Sequence, residues 1–263
     1  MNLQHPCFDE KAHYRYGRIH LPVAPHCNIK CRYCSREIGI SYHSQRPAIC
    51  REILSPRQAA ERVAQYMNDA LKVVGIAGPG EPLVNPETYE TLSLVHEQFP
   101  HLIKCVSTNG LLLQEKAPLL AEVGVKTVTV TLNALTPATV KKIYAHIEGK
   151  MNDEVASSFT AQQLEGISAC TTRGMHVKIN SILIPHINAE ELEQVAIQAQ
   201  KRGAYIHNIT PLIPLSEFST MRPPTDAEIQ GVREQCEKYL PQFTCCKQCS
   251  ADAVGIPGKG DRF

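Results

Sequence analysis

Three cysteines near the N-terminus have the spacing that offers the most specific chemistry in this sequence. Cys27, Cys31 and Cys34 form a C-x3-C-x2-C pattern. Thiolates are the ligands of iron–sulfur clusters, and three of them leave one iron of a 4Fe–4S cluster open to a substrate or cosubstrate. Structural zinc sites use C-x2-C pairs that close all four positions, so zinc binding and unrelated buried thiols are the weaker alternatives. The spacing favours a 4Fe–4S cluster with one open iron.

The composition limits the class of protein to which this chain belongs. The chain has 263 residues, a formal net charge of +1 and 11 cysteines. Its length is enough for one large domain, and its charge gives no sign of a nucleic-acid or membrane-surface partner. The sequence has no apolar run long enough to span a bilayer and no signal-peptide pattern. We therefore expect a cytoplasmic protein with no nucleic-acid and no membrane partner, whose cysteines are metal ligands rather than disulfides.

Six apolar segments predict β-strands, and helical segments separate them. The predicted strands cover residues 18–23, 72–77, 102–107, 126–132, 176–184 and 205–210. Helices are predicted to start where a capping residue precedes a proline, at Ser55-Pro56 and Thr136-Pro137. Residues 147–160 are expected to form a polar insertion. Strands that alternate with helices argue for a parallel sheet, and a cysteine loop directly after the first strand fits the site-building loops of an α/β barrel.

The cysteine triplet, with the aromatic Tyr33 before its third member, resembles the signature of the radical S-adenosylmethionine (SAM) superfamily. The resemblance implies a 4Fe–4S cluster whose open iron chelates SAM, and reductive cleavage of SAM to methionine and a 5′-deoxyadenosyl radical. It also implies a GGEP-like turn after the second strand that binds the SAM ammonium. The turn Gly78-Pro79-Gly80-Glu81-Pro82 occupies that place. Taken alone it is only a Gly/Pro turn, but carbonyls and a carboxylate suit a cationic amino group.

Polar residues at other strand ends are further candidates for SAM contacts. Thr108, Asn109 and Asn133 are predicted to meet its carboxylate and ribose. Asn180, inside a strand, would point an amide into the barrel, although it is equally explained as a satisfied core group. Tyr33 either packs on the adenine or is part of the core packing. The predicted cofactor-binding residues are therefore Tyr33, Gly78, Gly80, Glu81, Thr108, Asn109, Asn133 and Asn180.

Five further motifs resemble the NifB family, radical SAM maturases of nitrogenase cofactor assembly, in the short form that lacks a carrier domain. They are His5-Pro6-Cys7, H-x-x-V-A-P from His20, V-G-I-A-G-P-G from Val74, C-V-S-T-N-G-L from Cys105 and C-x-x-C-x-A-D-A-x-G from Cys246. The similarity extends from His5 to Gly255. It implies an α/β fold, a radical SAM partial (β/α)6 TIM-type barrel. We expect this barrel at residues 18–240, between cluster-binding extensions at residues 1–17 and 241–263.

The resemblance implies that two further 4Fe–4S clusters are substrates, fused into an 8Fe–9S core with a carbide from a SAM methyl group. We assign one of these clusters to Cys7, Cys105 and a histidine, for which His5 is the first choice and His20 the second. A histidine suits a cluster that must later leave, because imidazole binds iron less firmly than thiolate. We assign the other cluster to Cys246 and Cys249. From the residues alone, the default for Cys105 is a buried small hydrophobe. The alternative for Cys246 and Cys249 is half of a zinc site, although no second pair lies nearby in the sequence to complete it.

One segment departs from the family pattern. After its third cysteine the family usually has another cysteine and an E-S-R-P sequence, whereas this chain keeps only Arg46-Pro47. Cys50 is predicted to replace the missing ligand, and His43 or Glu37 the missing base. The departure equally fits a divergent maturase with auxiliary clusters that acts on another substrate, or a non-catalytic iron–sulfur scaffold. The expected partners are an iron–sulfur cluster donor scaffold, a downstream cofactor-assembly scaffold or carrier, and an electron donor such as ferredoxin or flavodoxin.

Overall fold

The computed structural model describes residues 3–39 and 46–259. Its strands are β1 (Gly17–His20), β2 (Ile29–Cys31), β3 (Glu37–Ile38), β4 (Ile49–Cys50), β5 (Leu71–Ile76), β6 (Ile103–Thr108), β7 (Val125–Thr131), β8 (Tyr144–Ile147), β9 (His176–Leu183), β10 (Ile206–Pro211) and β11 (Val254–Gly255). Its helices are α1 (Glu10–His13), α2 (Pro56–Gln65), α3 (Pro86–Gln98), α4 (Leu113–Glu122), α5 (Pro137–Ile143), α6 (Asp153–Thr171), α7 (Leu192–Gln200) and α8 (Asp226–Glu237).

Seven strands form one curled sheet in the order β10-β9-β7-β6-β5-β1-β11. The first six strands of this order run parallel, and they correspond to the six strands that the sequence predicts. Strands such as β5 and β7 are almost entirely buried, because helices cover one face of a parallel sheet and the inside of the curl buries the other. This architecture confirms the predicted α/β fold and its partial (β/α)6 barrel.

Side-chain caps explain where the helices begin. Ser55 and Gln58 form a capping box at the start of α2, and the Thr136 hydroxyl accepts a hydrogen bond from the Thr139 N–H at the start of α5. Each cap satisfies N–H groups that have no partner within the helix. A proline follows each cap, where its missing N–H costs nothing. Both helix starts predicted from the sequence are therefore confirmed.

The predicted polar insertion at residues 147–160 is wrong. The Asn152 side chain caps α6, which begins at Asp153. The polar residues that suggested an insertion form the exposed side of this helix, while Ala156 and Phe159 on the other side are buried. The preceding strand β8 pairs with β2, the strand that carries Cys31. The segment therefore supports the cysteine loop.

The C-terminal segment completes the sheet beside β1. Strand β11 pairs antiparallel with β1, and the buried Arg18 guanidinium donates to the Gly255 carbonyl oxygen at 2.8 Å. The Arg51 N–H donates to the Asp252 carboxylate at 2.9 Å. This pairing covers a strand edge that would otherwise be exposed, and it holds the C-terminal cysteines against the inside of the sheet. Within the described ranges, no helix is long and apolar enough to cross a membrane.

Candidate metal centre

One cavity of about 290 Å³ inside the curled sheet brings two groups of cysteines together. The first group, called here the loop cysteines, is Cys27, Cys31 and Cys34. The second group, called here the scattered cysteines, is Cys7, Cys105, Cys246 and Cys249. Both groups line the cavity, together with His5, His13 and His20. The structure therefore gathers residues from both ends of the chain and from the middle of the sheet.

The loop cysteines are held by the pairing of β2 with β8. The Arg32 N–H donates to the Ile143 carbonyl at 2.9 Å, and the Cys34 N–H donates to the Cys31 carbonyl at 3.2 Å. Burial raises the pKa of all three loop thiols, so the thiolate form needs a compensating positive charge. The Arg36 guanidinium supplies part of that charge, and iron would supply the rest.

The donor set fits a 4Fe–4S cluster with one open iron. In such a cluster each cysteine binds a different iron, so the thiols need to surround a space rather than converge on one atom. The loop cysteines lie around the cavity wall in this way. Among residues 3–39 and 46–259, no three His, Cys, Asp or Glu side chains converge on a position for a single metal ion.

Glu81 presents a buried carboxyl group to the same cavity. Its Oε1 accepts from the Thr108 hydroxyl at 2.5 Å and from the Leu83 N–H at 3.1 Å. Its Oε2 accepts from the Asn109 N–H at 2.6 Å. Burial raises the pKa of Glu81 to about 7, although these hydrogen bonds favour the ionised form. A cation beside Glu81, such as the ammonium group of SAM, would stabilise the carboxylate.

Gly80 joins the Glu81 turn to the cysteine loop. A Cβ atom on Gly80 would lie 2.2 Å from the His26 carbonyl oxygen and 2.8 Å from that of Ala24. The Gly80 N–H donates to Ala24 at 2.7 Å, and the Glu81 N–H donates to His26 at 2.8 Å. Because His26 directly precedes Cys27, these contacts fix the carboxyl group relative to the first loop cysteine. Only glycine allows so close an approach.

Two asparagines on neighbouring strands also face the cavity. Asn180 on β9 and Asn208 on β10 are paired in register and line the cavity. The Asn208 amide donates to the Asn180 Oδ1 at 2.7 Å, and the buried Asn208 Oδ1 has no hydrogen-bond partner. The predicted residue Asn109 lies closer to the loop cysteines, where its amide donates to the Asn28 Oδ1 at 2.8 Å. These groups can bind polar parts of a ligand.

Tyr33 and Asn133 belong to one hydrogen-bond network, but only Tyr33 lines the cavity. The Asn133 amide lies 3.0 Å from the hydroxyls of both Tyr33 and Tyr144. Its Oδ1 accepts from the Ile182 N–H at 2.9 Å. The Tyr33 hydroxyl also hydrogen-bonds to Cys31, which helps to lower the pKa of that thiol. The structure therefore places Asn133 behind Tyr33 and not at the cavity wall.

Two buried cations lie among the scattered cysteines. The Arg18 guanidinium donates to the Cys249 Sγ at 3.0 Å. The Lys178 Nζ donates to the Cys7 carbonyl at 2.9 Å, and it lies 5.0 Å from the centroid of the Phe8 ring. Burial raises the pKa of the Cys7 thiol, and both cations oppose that rise. Burial raises the pKa of the Cys249 thiol to about 11, and Arg18 opposes that rise. This end of the cavity is therefore suited to anionic ligands.

The hydrogen bonds of two histidines distinguish their abilities to bind iron. The Cys7 N–H donates to the His5 Nδ1 at 3.1 Å, so in a neutral His5 ring the proton is on Nε2. The His20 Nδ1 lies 3.0 Å from the Ser250 carbonyl oxygen, which can only accept, so the lone pair of His20 is on Nε2. Metal-bound histidines usually donate their other N–H to a carbonyl or carboxylate. The geometry therefore favours His20, the second choice from the sequence, over His5.

Comparison with known proteins places this site in a family. The radical SAM superfamily profile matches residues 21–198. The chain is 47% identical over 262 residues to the FeMo cofactor biosynthesis protein NifB of Methanocaldococcus jannaschii, which covers 96% of this chain and 86% of that protein. The chain belongs to the NifB family of radical SAM enzymes. It is also 43% identical over 268 residues to the protein of the same name from Klebsiella pneumoniae, covering 97% of this chain and 57% of that protein.

Solved structures support the same fold at lower identity. HydG, a maturase of the [FeFe]-hydrogenase, matches 86% of this chain and 51% of its own chain, with a TM-score of 0.58 and 14% identity. A radical SAM methyltransferase from Sphaerobacter thermophilus matches 87% of this chain and 64% of its own, with a TM-score of 0.53 and 18% identity. Likeness at this level shows the partial barrel alone. As a radical SAM enzyme, the chain has a 4Fe–4S cluster and SAM as its family cofactors.

Of the three residues predicted near the departure from the NifB pattern, the two that the structure describes, Cys50 and Glu37, do not line the cavity. Cys50 lies in β4 and is fully buried away from it. The Glu37 carboxylate forms an ion pair with Arg46, which is the arginine that the chain retains from the family motif. His43 lies outside the described residues. The replacement ligand and the replacement base therefore remain predictions.

Several cavity residues were missed in the sequence analysis. Arg18 and Lys178 carry charges inside predicted strands, and this pattern is a usable signal because burying a charge is costly. His13 and Asn208 gave no comparable signal, since polar residues next to or inside a strand are common. Arg36 directly follows the cysteine loop and lines the cavity, but its position alone did not distinguish it from a solvated surface arginine.

Proposed function

We propose that this chain fuses two 4Fe–4S clusters and one further sulfide into an 8Fe–9S–carbide precursor of the nitrogenase cofactor, with SAM as both methyl and radical source. The observation that carries the proposal is the single cavity that the loop cysteines share with the scattered cysteines. Such sharing brings a SAM site next to a second set of iron ligands. The names of the relatives, FeMo cofactor biosynthesis protein NifB, support the same role.

The loop cysteines and the Glu81 turn would hold the radical SAM group. Cys27, Cys31 and Cys34 bind the 4Fe–4S cluster, and Glu81 accepts a hydrogen bond from the SAM amino group, which is the neutral amine when it binds iron. When bound there, the cluster and SAM supply reductive cleavage of SAM to a 5′-deoxyadenosyl radical. Gly80 keeps the carboxylate at a fixed position beside the first cysteine, because its backbone packs directly on residues 24–26. The burial of this region excludes water that would quench a reactive species.

The scattered cysteines would hold the substrate clusters. We assign one cluster to Cys7, Cys105 and His20, and the other to Cys246 and Cys249. Few protein ligands suit clusters that must later leave, and an imidazole binds iron less firmly than a thiolate. Arg18 and Lys178 would offset the negative charge of these substrates, which are anions when bound to thiolates. We also propose the cluster donor scaffold, downstream carrier and ferredoxin or flavodoxin as partners.

The experiment that tests this function counts iron and then looks for the product. After anaerobic reconstitution we expect about twelve irons per chain, enough for three 4Fe–4S clusters. Incubation with SAM and reductant should yield a species that activates cofactor-deficient nitrogenase. About four irons per chain, enough for the radical SAM cluster alone, would contradict the proposal. Full iron content without release of 5′-deoxyadenosine or S-adenosylhomocysteine would instead indicate a non-catalytic scaffold.

A further inference from the structure

His13 is a buried imidazole at the cavity wall to which the proposed function gives no role. It ends α1, is 1% exposed and lines the cavity. Its Nδ1 lies 2.8 Å from the Pro6 carbonyl oxygen. A carbonyl oxygen only accepts hydrogen bonds, so Nδ1 carries the proton and Nε2 carries the lone pair of the neutral ring. That Nε2 is buried and has no hydrogen-bond partner.

This arrangement is the one that metal-bound histidines adopt. A histidine that binds a metal through one ring nitrogen usually donates the other N–H to a backbone carbonyl or a carboxylate, which fixes both the tautomer and the ring orientation. His13 has that support from Pro6. Burial lowers the pKa of His13, and the neighbouring cations Lys247, Arg18 and Lys178 lower it further. The neutral ring with a Nε2 lone pair is therefore the favoured form.

The packing of His13 places it beside the C-terminal cysteines. Its ring centroid lies 5.8 Å from that of Phe243, in an edge-to-face arrangement. Phe243 is anchored to the sheet by its N–H, which donates to the His207 carbonyl at 2.7 Å. From Phe243 the chain runs directly into Cys246 and Cys249, which line the same cavity. The next residue, Tyr14, has its hydroxyl 3.9 Å from the Cys245 Sγ, and Lys247 is among the charges that act on His13. His13 therefore lies beside the segment that carries this pair.

We propose that the Nε2 of His13 is a third protein ligand of the substrate cluster that Cys246 and Cys249 hold. This inference rests on the proposed function. Two thiolates alone leave two irons of the cluster without a protein ligand, whereas two thiolates and an imidazole leave one. Each substrate cluster would then be held by two cysteines and one histidine, with one iron open toward the other cluster. His13 would be the imidazole ligand of this cluster, as His20 would be of the other.

The test uses pulsed EPR of the reduced, reconstituted protein to detect histidine nitrogen that is bound to iron. It is done without SAM, so that the SAM amino nitrogen does not contribute, and in a His20→Asn background. Each added variant preserves a polar side chain. His13→Asn can keep the donor to Pro6 but lacks an imidazole nitrogen, and His101→Asn is the matched control at an exposed position. We expect nitrogen modulation in the His20→Asn protein and in its His101→Asn derivative, and its loss in the His13→Asn derivative.

The iron content of the variants distinguishes failure of the His13 inference from failure of the proposed function. We expect the His13→Asn derivative to lose about four irons, one cluster, on treatment with a chelator that its control withstands. Unchanged nitrogen modulation with full iron in that derivative would overturn the inference and leave the proposed function intact. Wild-type protein with about four irons would overturn both. If His13→Asn does not fold, His13→Gln replaces it, and a His20→Asn protein without histidine modulation overturns the inference by itself.

Discussion

The two groups of cysteines reach the same cavity by different routes. The loop cysteines lie within one short segment that β2 and β8 hold in place. The scattered cysteines come from the N-terminal segment, from β6 and from the C-terminal tail, and they meet only when the tail pairs with β1. The first site therefore depends on local structure, whereas the second depends on contacts between distant parts of the chain. Mutations that disturb the C-terminal tail should therefore reduce iron binding at the scattered cysteines before they reduce it at the loop cysteines.

The charges around the two groups also differ. Among the described residues that line the cavity, Glu81 is the sole carboxylate, and it lies near the loop cysteines. Arg18 and Lys178 lie at the other end, beside Cys249 and Cys7. A carboxylate suits the ammonium group of SAM, and buried cations suit anionic clusters. One cavity thus offers a carboxylate and Arg36 at the loop cysteines, and two buried cations at the scattered cysteines.

The largest expected effect comes from removing one cysteine of each group. Cys31→Ala should abolish SAM cleavage, because the radical SAM cluster loses one of its three ligands. Cys249→Ala should retain SAM cleavage but lose iron, because it removes a substrate ligand. The measurements are 5′-deoxyadenosine release by chromatography and iron per chain. Cys170→Ala, in the buried core of α6, is the control for loss of a thiol. Intact SAM cleavage in Cys31→Ala would refute the assignment of the loop cysteines.

The next effect concerns the buried cation at the second site. Lys178→Met removes the charge but keeps the length of the side chain. We expect loss of up to about eight of about twelve irons, the two substrate clusters, with SAM cleavage retained. Without iron the variant should be as stable as the wild type or more stable, because a buried charge is costly. Thermal unfolding and iron analysis check both results, and Lys178→Arg is the charge-preserving control. Equal iron loss in both variants would show that shape, not charge, matters.

The same contrast explains what the sequence could and could not predict. Six strands were predictable because long apolar runs mark buried parallel strands. The loop cysteines were predictable because their ligand spacing lies within one short segment. Residues 147–160 were misjudged because the polar side of α6 looks like a loop when its buried residues Ala156 and Phe159 are overlooked. The predictions of the six strands and of the loop cysteines each rested on a local pattern of residues.

The second site depends on contacts that no local pattern shows. From the sequence, His5 ranked above His20, and the hydrogen bonds favour the reverse order, because the tautomer of each ring depends on a backbone group that folding brings to it. His20 meets the Ser250 carbonyl, which lies at the other end of the chain. For the same reason the sequence, which predicts a SAM contact for Asn133, could not show that its amide lies 3.0 Å from the hydroxyls of Tyr33 and Tyr144. The scattered cysteines themselves were grouped only through resemblance to a family.

A smaller effect should appear in the pH dependence of SAM binding. Burial raises the pKa of Glu81 to about 7, so SAM must displace a proton from Glu81 below that pH. SAM affinity should therefore rise by at most about tenfold per pH unit up to pH 7 and then level off. Glu81→Gln should bind SAM weakly with little dependence on pH. Equilibrium dialysis with cluster-loaded protein at several pH values measures this. A wild-type affinity that falls with rising pH would contradict the role of Glu81.

The stability of the ligand-free protein should depend on pH in the opposite sense. A raised carboxyl pKa means that the folded state holds its proton more tightly than the unfolded state does. Ionisation of Glu81 therefore destabilises the fold as pH rises from the ordinary value of 4.5 to about 7, and the loss is complete above that range. Denaturant unfolding of wild type and Glu81→Gln should show this difference. Bound SAM should remove it.

The smallest expected effect tests whether His20 needs the space that Gly75 leaves. Gly75 lies opposite His20 in the parallel pair β1–β5, and a Cβ on Gly75 would lie 3.1 Å from the His20 Cδ2. Gly75→Ala should therefore shift the ring by a few tenths of an ångström and change its nitrogen coupling to the bound cluster. SAM cleavage at the loop cysteines should be unchanged.

Gly231→Ala is the matched control for Gly75→Ala, because nothing lies within 4 Å of the added methyl group in α8. Alanine at an unstrained helical position should stabilise the protein by about 0.4–1 kcal/mol. It should leave the nitrogen coupling at its wild-type value. If Gly75→Ala and Gly231→Ala give the same coupling, His20 does not bind the cluster through a ring held at this position. The second site would then draw its histidine from elsewhere on the cavity wall, and the contrast between the two cysteine groups would rest on the thiols and cations alone.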